Sequence, residues 1–289
     1  MLKIALPNKG RLALETRELF EQAGLEVRAL SERALTASLG GEFQALFVRA
    51  QDIPEFVADG AADAGITGAD LIAESGRPLA ERLDLGFGRC RLVVAAREEG
   101  PITAPDAIPA GTRVATVFPN VTRRYFAARG CEVTVVPMSG AVEIAPHLDI
   151  ADVIVDLTST GSTLKTNGLR EIATILDSSA RLVTRPEGAN GADAGLAGPL
   201  GELVTALESV LRARGQRYLM ANVPRARLPE VKEVLPGING PTVIDILNGG
   251  VFVAVHAVVS ADSLYRTIAQ LKRLGAEGIL VSRIERLVA

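Results

Sequence analysis

The 289-residue chain has no tryptophan, two cysteines, two histidines and an aromatic content of only 4%. Each scarcity excludes something. Without large rings, a hydrophobic fraction of 48% must be packed from Ala, Val, Leu and Ile, which favours α/β layering. Cys90 and Cys131 are too few for a disulfide framework and lack zinc-ligand spacing, so they read as reduced residues of a cytosolic protein. His147 and His256 leave little material for histidine acid–base chemistry. His256 lies in the alternating run VFVAVHAVV, and His147 follows Pro146 near an expected helix end. A balance of 31 Lys+Arg against 34 Asp+Glu, net −3, offers nucleic acid no basic field. An anionic ligand must therefore be met locally. No run reaches the roughly 18 uncharged apolar residues of a membrane span. The start MLKIALPNKGRL lacks an apolar segment followed by a small-residue cleavage site, so a cytoplasmic location is expected, with no membrane partner.

What the chain does have is the stretch ADVIVDLTSTGSTLKTNGL, residues 151 to 169. An apolar run, Val153 to Val155, reaches a single carboxylate at Asp156 and breaks into the small residues Thr158 to Thr163. That is the outline of a buried strand emptying into a phosphate-sized loop. Backbone N–H groups of such a loop point inward, and Gly161 lets a ligand approach without a Cβ in the way. The hydroxyls of Thr158, Ser159, Thr160, Ser162 and Thr163 can add donors. An ionised Asp only accepts hydrogen bonds, so Asp156 suits the hydroxyls of a sugar, and the whole describes a ribose phosphate. A polar surface turn after a core strand has the same local pattern.

Earlier in the chain, Leu2 to Leu6 reads as a strand, Pro7 to Gly10 as a turn and the residues from Arg11 to 23 as a helix stopped by Gly24. Lys9 and Arg11 flank this strand-to-helix turn, where parallel sheets present ligands and helix starts attract anions. Phe43 to Val48 is a strand ending at Arg49. The unit DGAADAGITGADLIAESG holds a small-residue strand, Ala64 to Thr67, and a helix from Asp70 to Ser75. So slight a strand suggests close approach by a ligand or another element, and Asp70 is either a helix-start charge or a ligand contact. Arg91 to Ala96 reads as a crossing into a second lobe. There, strands at Thr112 to Val117, Cys131 to Val136 and Val153 to Val155 alternate with helices at Asn120 to Arg129 and Gly140 to Leu148. This is βαβαβ, hence a parallel sheet. Glu143 falls in the first turn of the second helix, placed to offset its dipole or to face the crevice of Asp156. Residues 172 to 176 and 180 to 183 can run back toward the first lobe.

Residues 186 to 196 form a Gly/Ala/Asp-rich loop, and Leu200, Leu203, Val204, Leu207 and Leu211 mark an amphipathic helix. From Tyr218 the order is strand, helix 225 to 235, strand, Asn248-Gly249 hairpin turn, strand, helix Asp262 to Leu274 and strand. That is the ferredoxin-like βαββαβ pattern, a small domain suited to sensing or assembly.

The segments ALPNKGRL (5 to 12), DIPEFVADGAADAGITGADL (52 to 71), FPN (118 to 120), SGAVEIAP (139 to 146) and DVIVDLTSTGSTLKTNGL (152 to 169) resemble the ATP phosphoribosyltransferase family of histidine biosynthesis. The tail, from RYLMANVP to GAEGILVSRIERL, is similar to the regulatory domain of its long form. The resemblance implies a two-lobed, type II periplasmic-binding-protein-like catalytic region, residues 1–95 with 184–211 and residues 96–183, followed by an ACT-like regulatory domain at 215–289. It implies a transferase with ATP and phosphoribosyl pyrophosphate as substrates, Mg²⁺ present, and homo-oligomers, active dimers and less active hexamers. Asp156 would hold the ribose and Ser159 to Thr163 the 5′-phosphate. Lys9, Arg11 and Arg49 would meet pyrophosphate or ATP phosphates, and Asp70 and Glu143 nucleotide, ribose or metal. Histidine, as feedback inhibitor, would meet Asn222, Ile238, Thr242 and Gly278; the family can carry Asp at the first of these, and Asn222 is uncharged. Asp156 is followed by Leu157 rather than by the second acid of the general phosphoribosyltransferase loop, which fits this family. Two other readings share the architecture. Prephenate dehydratase has a Thr-Arg-Phe motif similar to Thr122-Arg123-Arg124-Tyr125-Phe126 but no use for a phosphate loop, and a cytosolic solute-binding or sensor protein could use the same cations.

Overall fold

A computed structural model describes residues 1–28, 34–186, 198–247 and 249–288. The chain divides into two compact units, Met1–Val204 and Thr205–Ala289.

The first unit opens with β1 (Leu2–Pro7), α1 (Arg11–Gln22), β2 (Val27–Arg28), β3 (Thr36–Leu39), β4 (Phe43–Val48), α2 (Ile53–Ala58), β5 (Ala64–Gly68), α3 (Ala69–Ser75) and β6 (Ala80–Asp84). It continues through β7 (Cys90–Arg97), β8 (Thr112–Thr116), α4 (Pro119–Ala127), β9 (Val133–Pro137), β10 (Val153–Thr158), α5 (Ser162–Thr166), β11 (Leu169–Ser178) and β12 (Ala180–Thr184). These strands form two sheets, ordered β2-β3-β4-β1-β5-β12-β6 and β11-β7-β10-β8-β9. Both are built alike. Three strands run parallel in each, β4-β1-β5 and β9-β8-β10. A strand that follows the passage from the other sheet then pairs antiparallel: β12 with β5 and β6, and β7 with β10 and β11. The passages lie side by side, since the Ala180 N–H bonds the Phe87 carbonyl at 2.9 Å. Two sheets joined by a double crossing give the two-lobed, type II periplasmic-binding-protein-like architecture implied by the sequence.

Several differences from the sequence reading have physical causes. The apolar run 91–96 does not mark the crossing: β7 is a central strand of the second sheet, and both its faces are covered, Leu92, Val94 and Ala96 packing with Phe118, Val121 and Phe126, and Val93 and Ala95 with Val142, Ala145 and Leu164. The crossings fall just before Cys90 and just before Ala180, ahead of the limits at 95/96 and 183/184. The helix expected over Gly140 to Leu148 is only a 3-10 turn, Val142–Ile144. Pro146 has no N–H to continue a helix, and its ring crowds the preceding turn. The second sheet is mixed rather than wholly parallel, through β7 and β11. The slight strand β5 is approached by another element, α2: a Cβ on Gly65 would lie 2.4 Å from the Ile53 side chain.

α6 (Pro199–Ala213) runs across the division at 204/205. The second unit continues with β13 (Gln216–Pro224), α7 (Leu228–Val234), β14 (Thr242–Asp245), β15 (Phe252–Ser260), α8 (Leu264–Arg273) and β16 (Glu277–Arg283). Its antiparallel sheet, β14-β15-β13-β16, has the ferredoxin-like order. Alternation places Leu219, Ala221, Val223, Val253, Val255 and Ala257 in a core with Val231 of α7 and Leu271 of α8. The expected loop at 186 to 196 lies, apart from Pro186, outside the described residues, as does Asn248. β14 and β15 nevertheless pair as a hairpin, Asp245 opposite Val253.

Candidate active site

β10 carries the site by burying its first half. Val153, Ile154 and Val155 are fully enclosed, which fixes the strand so that Asp156 emerges half-buried at its open end. Burial pushes the Asp156 carboxyl above the usual range and the nearby charge of Glu143 adds to this, while the Leu157 N–H, bonded at 2.8 Å, pulls it back. The loop beyond is organised by its own side chains. Buried Thr158 accepts the Gly161 N–H on Oγ1 at 2.8 Å, and Thr160 Oγ1 lies 2.9 Å from Ser162 Oγ. Gly161 turns the chain at φ 79°, a conformation a Cβ would penalise. Ser159, Thr160, Ser162 and Thr163 stand exposed. Thr158 thus shapes the turn with the hydroxyl read as a ligand donor.

Asp156 lines a cleft of about 660 Å³ between the lobes. Leu71 and Gln51 come from the first lobe, Val117, Phe118, Asn120 and Met138 from the second, and among the described residues no cation lines it. Apolar side chains interleaved with amides and with the carboxylates of Glu55, Glu74 and Asp156 suit a flat neutral heteroaromatic ring rather than an anion. A second hollow, of about 350 Å³, includes Ser159 together with Arg89, Arg91, Ser178, Ser179 and Arg181. Arg91 is held by both Glu171 oxygens, at 2.5 and 2.9 Å, and Arg181 by Glu81 and Asp84. Arg89 bonds the Gly86 carbonyl at 3.0 Å and, among the described residues, pairs with no carboxylate. The sequence reading missed Arg89 and Arg91. The signal available was their position on either side of Cys90, at the start of a long apolar strand.

Lys9, Arg11 and Arg49 are exposed. Parallel pairing of Pro7 with Val48 brings the ends of β1 and β4 to one sheet edge, so the turn holding Lys9 and the exit holding Arg49 are neighbours. Arg11 lies 3.9 Å from Glu15, one turn along α1. Asp70 is placed differently from the others. It is 5% exposed, its backbone N–H donates to Ser178 Oγ at 3.1 Å, and the Ser178 hydroxyl donates back to its carboxylate. Burial raises the Asp70 pKa, opposed by Ser178 and by the N–H groups of Asp70 and Leu71. Burial and the Asp70 charge also push the Cys90 thiol up, while Ser178 and Arg11 draw it down. Asp70, Cys90, Ser178 and Arg11 are therefore electrostatic neighbours beside the double crossing. In the second unit, a Cβ on Gly278, where φ is 56°, would lie 3.4 Å from Asn222 Nδ2, so those two candidates adjoin. Thr242 pairs with His256, whose Nδ1 lies 2.5 Å from the Tyr218 hydroxyl, and Ile238 is 62% exposed.

The family model described as ATP phosphoribosyltransferase matches residues 49–209, and the one described as HisG, C-terminal domain, matches residues 213–286. An ATP phosphoribosyltransferase of Gemmatimonas aurantiaca is 67% identical over 291 residues, covering all of both chains. The chain belongs to the ATP phosphoribosyltransferase family. Another member, from Halorubrum lacusprofundi, is 49% identical over 99% of this chain and all of its own. Among solved structures, a chain of the ATP phosphoribosyl transferase (HisG:HisZ) complex from Thermotoga maritima is 31% identical with a TM-score of 0.62, covering 72% of this chain and 99% of that one. Membership in this family of phosphoribosyltransferases sets aside prephenate dehydratase. The segment similar to its motif lies in α4, where Thr122, Tyr125 and Phe126 are buried packing residues.

The family implies Mg²⁺. Among the described residues no three His, Cys, Asp or Glu side chains gather to hold a metal. Glu143 does lie close enough to Asp156 for its charge to be felt there. Two oxygen donors fit a hard cation that takes its remaining ligands from water and substrate phosphates.

Proposed function

We propose that the chain joins N1 of the adenine of ATP to C1 of phosphoribosyl pyrophosphate, releasing pyrophosphate, as the first step of histidine biosynthesis in the cytoplasm. The observation that carries this reading is the pairing of a cleft of mixed apolar, amide and carboxylate lining, without a cation among the described residues, with a hydroxyl-rich loop at the end of one strand, Asp156 standing between them. The cleft suits the adenine ring. The exposed residues Ser159, Thr160, Ser162 and Thr163, with Gly161, suit the 5′-phosphate, and Asp156 the ribose hydroxyls. Departure of pyrophosphate leaves positive charge on the ribose, which Asp156 and Glu143 stabilise, and negative charge on the leaving group, which Lys9, Arg11 and Arg49 meet. Asp156 and Glu143 would hold Mg²⁺ along with the substrate phosphates, and the ion would supply charge neutralisation for the pyrophosphate. Adenine N1 is unprotonated at neutral pH and attacks without a base, so two histidines suffice for the whole chain. Asp70, enclosed by Ser178, acts on the nucleotide through the start of α3.

The second unit binds histidine at Asn222, Ile238, Thr242 and Gly278 and shifts the chain between active dimers and less active hexamers. The adjacency of Asn222 and Gly278 supports this reading. The test is direct: protein with ATP, phosphoribosyl pyrophosphate and Mg²⁺ forms phosphoribosyl-ATP, identified by mass, and added histidine slows it. Binding of either substrate without product would reduce the chain to a binding module and overturn the proposal. Loss of the histidine response on deleting residues 215–289, with turnover kept, assigns inhibition to the second unit, and a response that survives removes that assignment.

A further inference from the structure

The start of α4 lacks a cap of its own. The preceding residue is Phe118, no acidic residue lies in the first turn, and no side chain from the N-cap position bonds it. Pro119 has no N–H, and the Thr122 N–H already bonds the Phe118 carbonyl at 3.0 Å. Two donors remain, those of Asn120 and Val121. Both are taken by one carboxylate from the other lobe: Glu74 Oε1 accepts Asn120 N–H at 2.9 Å and Oε2 accepts Val121 N–H at 2.9 Å. The last turn of α3 adds two carbonyls. Asn120 Nδ2 donates to Glu74 O at 3.1 Å, and the Arg124 guanidinium donates to Ala73 O.

A helix cap is normally supplied from the same stretch of chain and is indifferent to what the rest of the molecule does. This one is supplied across a cleft. Moving the lobes apart would strip both donors of a charged acceptor and withdraw a carboxylate from the positive end of the helix. Glu74 and Asn120, so joined, line the same cleft as Asp156.

The geometry points to Glu74 as a positioning residue, a latch between the lobes that sets how much of the protein holds its cleft closed. Its kinetic consequence rests on the function proposed above; its structural consequence does not. If only the closed form takes substrate, apparent affinity falls in proportion to the closed fraction, with little change in the step that follows. In Glu74→Ala, amide exchange at Asn120 and Val121 should quicken about tenfold or more, while the urea midpoint and protection across residues 153–169 stay as in the unaltered protein. The KM for ATP should rise about tenfold with kcat within about threefold. Glu74→Gln, which keeps one acceptor oxygen, should fall between. Unchanged exchange at those two amides overturns the latch, as does a loss in which kcat and the urea midpoint fall together with KM unmoved. Should the unaltered protein form no phosphoribosyl-ATP, the enzymatic reading fails, and solution scattering decides the latch: Glu74→Ala should show a larger radius of gyration than the unaltered protein, and an equal one overturns it.

Discussion

The two lobes place a carboxylate at matching points and treat it in opposite ways. In each sheet the third parallel strand, β5 or β10, runs into a short helix, and an acid stands near the junction: Asp70 in one, Asp156 in the other. Burial raises both pKa values. Asp70 is closed over by Ser178 from the strand that leaves the second lobe, whereas Asp156 has, among the described residues, its neighbour's N–H and the like charge of Glu143. One carboxylate is enclosed and reaches the cleft only through the start of α3, and the other lines the cleft itself. The same strand order thus tolerates either outcome, and what decides is whether a distant residue arrives to satisfy the acid.

The contrast can be broken from both sides. Asp156→Asn should lower kcat/KM by about a hundredfold or more, as expected for a charge placed to stabilise a developing cation, and unchanged kinetics would remove its ribose role. Asp70→Ala should act chiefly on the frame: it leaves the Ser178 hydroxyl and the start of α3 without their acceptor, at a cost of about 1–3 kcal/mol by urea denaturation. A stable Asp70→Ala protein would show that the enclosure contributes nothing. Gly161→Val forces a Cβ-branched residue into the left-handed region and should raise the KM for phosphoribosyl pyrophosphate about tenfold, with ATP binding nearly unchanged in equilibrium measurements.

The smallest effect is on pH dependence. A carboxyl whose pKa is raised on folding keeps its proton where the unfolded chain, near 3.8, has lost it. Stability therefore falls as pH rises from about that value through the folded one. Asp156→Asn removes this slope, so its Tm should exceed that of the unaltered protein at pH 7.5 and approach it at pH 4. Parallel curves would mean that Asp156 is not appreciably perturbed.

Local chemistry made much of this molecule legible. The apolar run into Asp156, the hydroxyl-rich loop beyond it, the strand-to-helix turn at Lys9 and the alternation of β13 and β15 each depend on residues close in sequence. What escaped depends on partners far away. Asp70 read as either a helix-start charge or a ligand contact, and its enclosure was hidden because Ser178, which provides it, lies 108 residues on. The cap of α4 is a glutamate from another lobe, Glu74, far from the helix in sequence. The helix at 140 to 148 failed for a local reason that was underweighted: Pro146 outvotes good helix formers. The strand at 91 to 96 was seen but assigned to a crossing, because hydrophobicity reports burial and not which sheet provides it.

The interleaving of the two sheets has a consequence for how the protein is made. β5 stays unpaired along one side until β12 reaches it, with Ala180 opposite Gly68 and Thr184 opposite Ala64. On a ribosome, nearly the whole second lobe must emerge before the first can be completed, so a nascent chain carries an open strand edge for most of its synthesis. Such an edge invites mispairing, and the late arrival of β12 makes the segment around Ala180 the natural timekeeper of folding.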